Sequence, residues 1–234
     1  MEHFFITGIG TDVGKTLAAA VITQALGAHY WKPVQAGVDP GTDSSWIATM
    51  LDQPAGRIHP ETYRLKTPAS PHIAGRNEGV WIDTGHIYDQ YLEICRSFKK
   101  EGREPAEDQW PKQGVRVPSE HFLVIEGAGG LMVPLNDQEF VADLISRLGV
   151  RVILVSRNYL GSINHSLLTA LVCRQYGLPV AGWIFNDQYM QYEDEIVRWS
   201  GFPKIASIPY TPLVDKEFIR EQAERIRPEL LRLL

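Results

Sequence analysis

Residues 4–16 read Phe-Phe-Ile-Thr-Gly-Ile-Gly-Thr-Asp-Val-Gly-Lys-Thr. Phe4, Phe5 and Ile6 are a short apolar run, long enough for a buried strand. Gly8, Gly10 and Gly14 let the backbone turn where side chains would clash. Residues 17–26 follow with good helix formers and no proline. Strand, glycine loop and helix in that order make a phosphate cradle. The loop N–H groups and the positive end of the helix point at one place, where an anion sits. Lys15 can reach the β and γ phosphates, and the Thr16 hydroxyl can ligate Mg²⁺. The loop departs from the strict G-x-x-x-x-G-K-[ST] spacing: counting back from Gly14, the first glycine falls on Ile9, and Gly8 is one residue too far. The competing reading, a glycine-rich turn with a solvated Lys15, leaves the Gly-Lys-Thr triplet at a helix start unexplained.

Further along, the chain alternates short apolar runs with helical patterns. Strands are expected at residues 29–31, 122–125, 150–155, 180–185 and 204–208. Helices are expected at 43–51, 83–100, 140–148, 162–176 and 193–199, with a last one from about residue 214. This rhythm predicts a P-loop NTPase-like α/β fold: a mostly parallel central sheet with helices on both faces. The strands lack polar alternation, as strands buried on both faces should. Residues 35–42 read as a loop, and 54–82, rich in proline and glycine and holding Thr67-Pro68-Ala69-Ser70-Pro71-His72, as irregular structure over a pocket or as plain surface loop. Residues 101–119 are charged and proline-punctuated, long for a connection, and read as an insertion or lid. With no internal repeat and no linker, the expectation is one domain over 1–234.

Composition narrows the functional classes. Of the 234 residues, 44% are hydrophobic and 22% charged, values of an ordinary globular protein. A net charge of -5, with no basic run beyond Lys99-Lys100, argues against a nucleic-acid partner. No apolar run approaches the ~18 residues of a membrane span, and the N-terminus lacks a signal-peptide layout, so the expectation is a cytoplasmic protein with no membrane partner. Cys95 and Cys173, the two cysteines, fall in apolar-patterned helices and are expected as buried thiols.

Ligands of such sheets bind beyond the carboxyl ends of the strands, and the chemically notable residues fall there. Lys32 follows the second strand; it is either an ordinary solvated lysine or a cation facing the phosphate loop. Glu126 ends an apolar strand ahead of Gly127, Ala128, Gly129 and Gly130, where a carboxylate can hold Mg²⁺ or cap a loop. Asp43 opens a helix and is either its cap or a metal contact. Asn186, Asp187, Pro209 and Tyr210 close two later strands. His72 and His165 are isolated and lack a partner at metal spacing.

Taken together, Gly8-Ile-Gly-Thr-Asp-Val-Gly-Lys-Thr16, Trp31-Lys-Pro-Val34, Asp43, Ser70-Pro-His72, Glu126-Gly-Ala-Gly-Gly130, Leu160-Gly-Ser-Ile-Asn-His165, Gly182-Trp-Ile-Phe-Asn-Asp187 and Ile208-Pro-Tyr210 resemble the dethiobiotin synthetase family of the biotin pathway, in order and through nearly the whole chain. The family loop carries the same extra residue. The resemblance implies an ATP- and Mg²⁺-dependent ring closure on 7,8-diaminononanoate (diaminopelargonate) and CO2. It implies that Asp12, Val13, Gly14, Lys15, Thr16 and Leu17 hold the triphosphate, and that Thr16, Asp43 and Glu126 hold Mg²⁺. Lys15 and Lys32 would act on the transferring phosphoryl group, beside the glycines after Glu126. Asn186, Asp187, Pro209, Tyr210 and Thr211 would receive the adenine. Ala36 and Pro71 would line the substrate. Family members are homodimers with a shared active site, and a helix start in the partner, here Gly161, Ser162 and Asn164, would hold the substrate carboxylate.

The chain departs from the family pattern at four places. Ala36 stands where a serine or threonine is usual, Asp12 where Glu is frequent, residues 101–119 are longer than expected, and the match after Tyr210 is poor. Two other classes share much of this pattern: a nucleotide-switch ATPase of the partitioning or septum-placement kind, and an amide-forming ligase. The switch ATPases carry a lysine ahead of the Gly-Lys-Thr, and none occurs between residues 1 and 14 here.

Overall fold

The computed structural model describes residues 3–100, 122–187 and 189–234. In chain order the elements are β1 (His3–Gly8), α1 (Lys15–Leu26), β2 (His29–Trp31), β3 (Val34–Ala36), α2 (Asp43–Met50), β4 (Ile58–His59), β5 (Tyr63–Leu65), α3 (Pro71–Glu78), α4 (Thr84–Lys100), β6 (Leu123–Gly130), α5 (Val141–Leu148), β7 (Arg151–Arg157), α6 (Ser162–Gln175), β8 (Val180–Asn186), α7 (Glu193–Ser200), β9 (Lys204–Ile208) and α8 (Lys216–Arg232).

β1 is buried along its whole length and lies at the middle of a seven-stranded sheet of order β4-β2-β6-β1-β7-β8-β9. Every pairing between these strands is parallel. Successive side chains leave a strand on opposite faces, and the two cores show this. Phe4, Ile6, Tyr30, Val124, Ile153 and Val155 pack on one face under α1 and α8. Phe5, Trp31, Leu123, Ile125, Val152 and Leu154 pack on the other, against α4, α5 and α6. Both faces are covered, which is why the strands read as unbroken apolar runs. The chain reverses direction across the sheet at β1: α1 leads to β2 on one side, while β6 and β7 flank β1 itself. That switch opens a crevice at the carboxyl ends of β1, β2 and β6.

Several expectations need correction. Residues 54–82 are not irregular: they contain β4, β5 and α3. Within the stretch read as a 35–42 loop, residues 35 and 36 belong to β3, which pairs with β5 in a separate two-stranded sheet. These strands are two or three residues long, too short for a period to register, and form by pairing with distant segments. α3 is eight residues, starts on Pro71 and stops at a left-handed Gly79, so its punctuation hid it. Cys173 is buried, and burial pushes its thiol up to about 12, but Cys95 is only half-buried. Cys95 lies at the side of α4, with Sγ 3.9 Å from His3 Nδ1. The 101–119 segment, expected as an insertion or lid, lies outside the described residues.

β6 also runs further than its apolar residues, through Gly130. Its register with β1 slips there, Ile6 facing Glu126 and Gly8 facing Gly130. At Gly127 a Cβ would lie 2.7 Å from Phe5 Cε1 and 3.3 Å from the Ile6 carbonyl oxygen. Phe5 is fully buried, so its ring has nowhere to go. Gly127→Ala is therefore expected to destabilise by about 1–3 kcal/mol through overpacking. At about 2–4 °C per kcal/mol for a chain of this size, thermal unfolding followed by circular dichroism reads the loss directly; an unshifted midpoint refutes the overpacking.

Candidate active site

The register of β2 and β6 decides which side chains meet in the crevice. Trp31 pairs with Ile125, so one residue further Lys32 stands beside Glu126. Both point to the face covered by α1, whose first residues are Lys15 and Thr16. Lys32 Nζ donates to Asp43 Oδ2 at 2.5 Å and to Glu126 Oε1 at 3.1 Å. Thr16 Oγ1 lies 3.0 Å from Asp43 Oδ1 and 2.8 Å from Glu126 Oε1, its one proton serving the two carboxylates. Tyr30 donates its phenol proton to Glu126 Oε2 at 2.8 Å. Lys15 Nζ turns back to the Gly10 carbonyl, 2.7 Å away.

The electrostatics follow from burial and these partners. Burial opposes the charge on Lys32, but Glu126 and Asp43 outweigh it and hold the ammonium above its ordinary value. Burial likewise opposes charge on Asp43, and Lys32 overcomes it to hold the carboxyl below its usual range. On Lys15 burial wins, with Lys32 adding to it against the pull of Glu126, and the ammonium lies below its ordinary value.

Asp43 is not the helix cap. Thr42 caps α2, accepting from the Ser45 N–H while Ser45 Oγ accepts from the Thr42 N–H. Asp43 is the first helical residue, and its carboxylate is left to the crevice. Its N–H is held instead by Gln35 Oε1 at 3.3 Å.

These groups line a cleft of about 790 Å³, which also takes in Asp12, Gly14, Ala36, Pro71, Ala128, Gly129 and Asn186. The Asn186 amide donates to the Val13 carbonyl at 3.3 Å, resting on the phosphate loop. Gly14 has φ +88°, and a Cβ there would lie 2.0 Å from Asn186 Nδ2, so only glycine fits.

Other expected residues are elsewhere. Val13 is buried beneath the loop, Leu17 packs against the core and Gly127 faces Phe5. Asp187 turns to Arg157, its Oδ2 3.5 Å from Nη2, while its N–H bonds the Ile208 carbonyl. Tyr210 is exposed and Thr211 Oγ1 is taken up in a turn with Leu213; neither of them, nor Pro209, lines the cleft. Gly161 and Asn164 are exposed at the start of α6, away from this cleft. Ser162 is fully buried; its hydroxyl lies 2.7 Å from the Tyr192 hydroxyl and its N–H bonds the Tyr159 carbonyl, so a ligand has no access to its side chain. His72 lines a separate cavity of about 260 Å³, and His165 Nδ1 meets the Tyr159 hydroxyl at 2.7 Å.

Pro68, Ala69, Ser70 and Pro71, from the stretch expected either over a pocket or as surface loop, line the cleft; the sequence reading did not single out Thr11, Gln35 or Val133 in its wall or Tyr30 behind it. A signal existed for Tyr30: it stands two residues before Lys32 in a strand, hence on the same face.

A glycine loop after the central strand, a lysine and threonine opening the next helix, and a carboxylate on the neighbouring strand define a P-loop-type nucleotide-binding α/β protein. A family profile described as an AAA domain matches residues 2–218. The chain is 40% identical to the ATP-dependent dethiobiotin synthetase BioD of Cytophaga hutchinsonii over 227 residues, 97% of each chain. It is 37% identical to that of Christiangramia forsetii, 98% of each being covered, and 37% identical to that of Agrobacterium fabrum, covering 94% of this chain and 91% of the relative. The chain belongs to the dethiobiotin synthetase family. In fold it is similar to a chain of the Aquifex aeolicus MinC:MinD cell division protein complex (TM-score 0.57, 17% identity, 100% of this chain and 95% of the other). It is also similar to a ParA family ATPase of Chlorobium tepidum (TM-score 0.53, 14% identity, 99% and 92%). At that identity the likeness extends to the fold alone.

Lys32 is the only cation between two carboxylates in this cluster, one of them fully buried. Lys32→Ala leaves the two anions facing each other. Losing one partner of a buried pair costs about 3–5 kcal/mol, and the low end applies because the Asp43 side chain keeps 32% exposure. Asp43 is held below its ordinary value, so its contribution is complete above about pH 4 and is lost as pH falls through the lowered folded value. Urea unfolding at pH 7 should therefore show a clear drop in midpoint for Lys32→Ala, shrinking below pH 4. An equal midpoint at pH 7 is incompatible with the bridging role.

Proposed function

We propose that this chain is an ATP-dependent ligase that closes the cyclic urea of dethiobiotin from 7,8-diaminononanoate and CO2, acting as one domain in the cytoplasm. The observation that carries this reading is the cluster of Lys32, Asp43, Glu126 and Thr16 at the mouth of the phosphate loop, in a chain whose full-length relatives are dethiobiotin synthetases. One amine of the substrate captures CO2 as a carbamate. A carbamate oxygen attacks the γ phosphorus of ATP and ADP leaves, giving a carbamic–phosphoric anhydride. The second amine then attacks the carbonyl carbon, phosphate departs with the electron pair of the broken C–O bond, and the ring closes with loss of a proton.

The chain's own groups serve each step. The loop N–H groups and the α1 N-terminus bind the triphosphate. Lys15 leaves the Gly10 carbonyl for the β and γ phosphates. Lys32 neutralises charge on the carbamate and the transferring phosphoryl group, positive charge aimed where negative charge develops. Thr16 Oγ1, Asp43 Oδ1 and Glu126 Oε1 converge within hydrogen-bond distance, an all-oxygen set that suits Mg²⁺. Among the described residues no cluster of three or more His, Cys, Asp or Glu could hold a metal, so phosphate oxygens and water would complete the shell, as Mg²⁺ prefers. When bound, that ion draws charge from the phosphate oxygens. Asn186, which lines the cleft beside the loop, with Asp187, Pro209, Tyr210 and Thr211 outside the cleft lining, would receive the adenine.

Ala36 lines the cleft without a hydroxyl, so other groups of the cleft wall would orient the substrate amines there. No helix among the described residues is long and apolar enough to cross a membrane.

The reading extends to a homodimer. Leu160, Leu168 and Leu171 are 89%, 52% and 57% exposed around the outer face of α6. Asn164 is exposed in the first turn of the same helix. A second copy covering those leucines would bring Asn164 and Gly161 of the partner subunit to the far end of a nine-carbon substrate.

Two measurements test this. Phosphate release should depend on both diaminononanoate and bicarbonate, with mass spectrometry detecting the cyclic urea. Release stimulated instead by DNA, lipid or ammonia would move the chain to another class. For the dimer, Lys15→Ala and Asn164→Ala should each be inactive, with Lys15 chosen because it bridges no carboxylates. Mixing them under verified subunit exchange should restore up to about a quarter of wild-type activity, because a hybrid dimer holds one intact site. Exchange without restored activity would show that the carboxylate is held within one chain.

A further inference from the structure

The geometry points to Tyr30 as a positioning residue for the metal–nucleotide step: its phenol proton fixes the Glu126 carboxylate so that Oε1, and not Oε2, faces Thr16, Lys32 and the phosphate loop. This inference rests on the proposed role of Glu126 as a metal ligand. Tyr30 pairs with Val124 across the β2–β6 ladder. Glu126 is two residues further along β6, on the same face, about 6.6 Å up the strand at the usual rise. A phenol crosses that span; a serine or threonine in the same place does not.

Tyr30 is 0% exposed and Glu126 1%. A tyrosine hydroxyl in such a place requires a partner, and phenylalanine would fill the same core without one. The hydroxyl finds Glu126 Oε2 at 2.8 Å. Among the described residues Oε2 has no other hydrogen-bond donor, while Oε1 carries both the Thr16 and the Lys32 contacts. The two oxygens are thus divided between an inner donor and the cleft. Hydrogen bonds to the back of a ligating carboxylate fix its rotation, and their loss commonly weakens metal affinity 10–100-fold.

The test is Mn²⁺ binding to the protein–ADP complex, read by electron paramagnetic resonance without substrate. Tyr30→Phe keeps the ring, so the fold should persist, with thermal unfolding as the check. We expect Mn²⁺ to bind roughly tenfold more weakly, while ADP affinity in EDTA stays within about twofold of wild type. Phe4→Leu loosens the same core face, where Phe4 is fully buried, and should leave Mn²⁺ affinity unchanged. Wild-type Mn²⁺ affinity in Tyr30→Phe overturns the inference. So does an equal loss of ADP affinity in EDTA, or an equal loss of Mn²⁺ affinity in Phe4→Leu, since either makes the role general packing. If the wild-type ADP complex itself takes no Mn²⁺, the reading of Glu126 as a metal ligand fails and this inference falls with it.

Discussion

One ammonium group ties the carboxyl edge of the sheet together. Lys32 Nζ reaches Asp43, eleven positions away, and Glu126, ninety-four positions away. Two carboxylates cannot stand ionised side by side in a buried site without a cation. Lys32 therefore pins the end of β2, the start of α2 and the last polar residue of β6 to one point, and Thr16 adds the phosphate loop. The arrangement is a set of charges balanced before any ligand arrives. A triphosphate with its cation would engage Lys15 and compete with Lys32 for the same two carboxylates. Such a cluster is costly to desolvate and weak as a source of stability, so its presence is better understood through chemistry than through folding.

The fold by itself says less. The fold is shared in outline with a ParA family ATPase and a MinC:MinD cell division protein complex at 14–17% identity, and a shared fold does not carry a shared reaction. The chemistry sits at the strand ends: a buried lysine after β2, a buried carboxylate in β6, and a phosphate-loop segment with no lysine before Lys15. The chain as a whole is similar to dethiobiotin synthetases at 37–40% identity over 97–98% of its length.

Legibility followed element length and contact range. The longer strands and helices announced themselves because each carries its own period. β3, β4 and β5 did not, since two or three residues have no period and form only where a distant partner waits. The glycines after Glu126 read as a loop because glycine is a poor strand residue; in the fold they continue β6, where Phe5 occupies the space a side chain would need. Asp43 was ambiguous because an acidic residue at a helix start caps as readily as it binds. Only the Thr42–Ser45 capping box shows that the cap is supplied one residue earlier.

The sequence by itself determined the α/β class, the phosphate cradle and the residue types gathered near it, because these depend on local periodicity, on glycine at a turn and on a lysine–threonine pair at a helix start. It did not determine which of those residues meet. Lys32 faces Glu126 because the β2–β6 register pairs Trp31 with Ile125; a one-residue slip would send both side chains to the opposite face. Tyr30 reaches Glu126 for the same reason. Ser162 and Tyr210 both fall in stretches that resemble the family, yet one is buried in a hydroxyl network and the other stands in solvent. Register, packing and burial are properties of the assembled sheet, and they decide which candidate residues share the cleft.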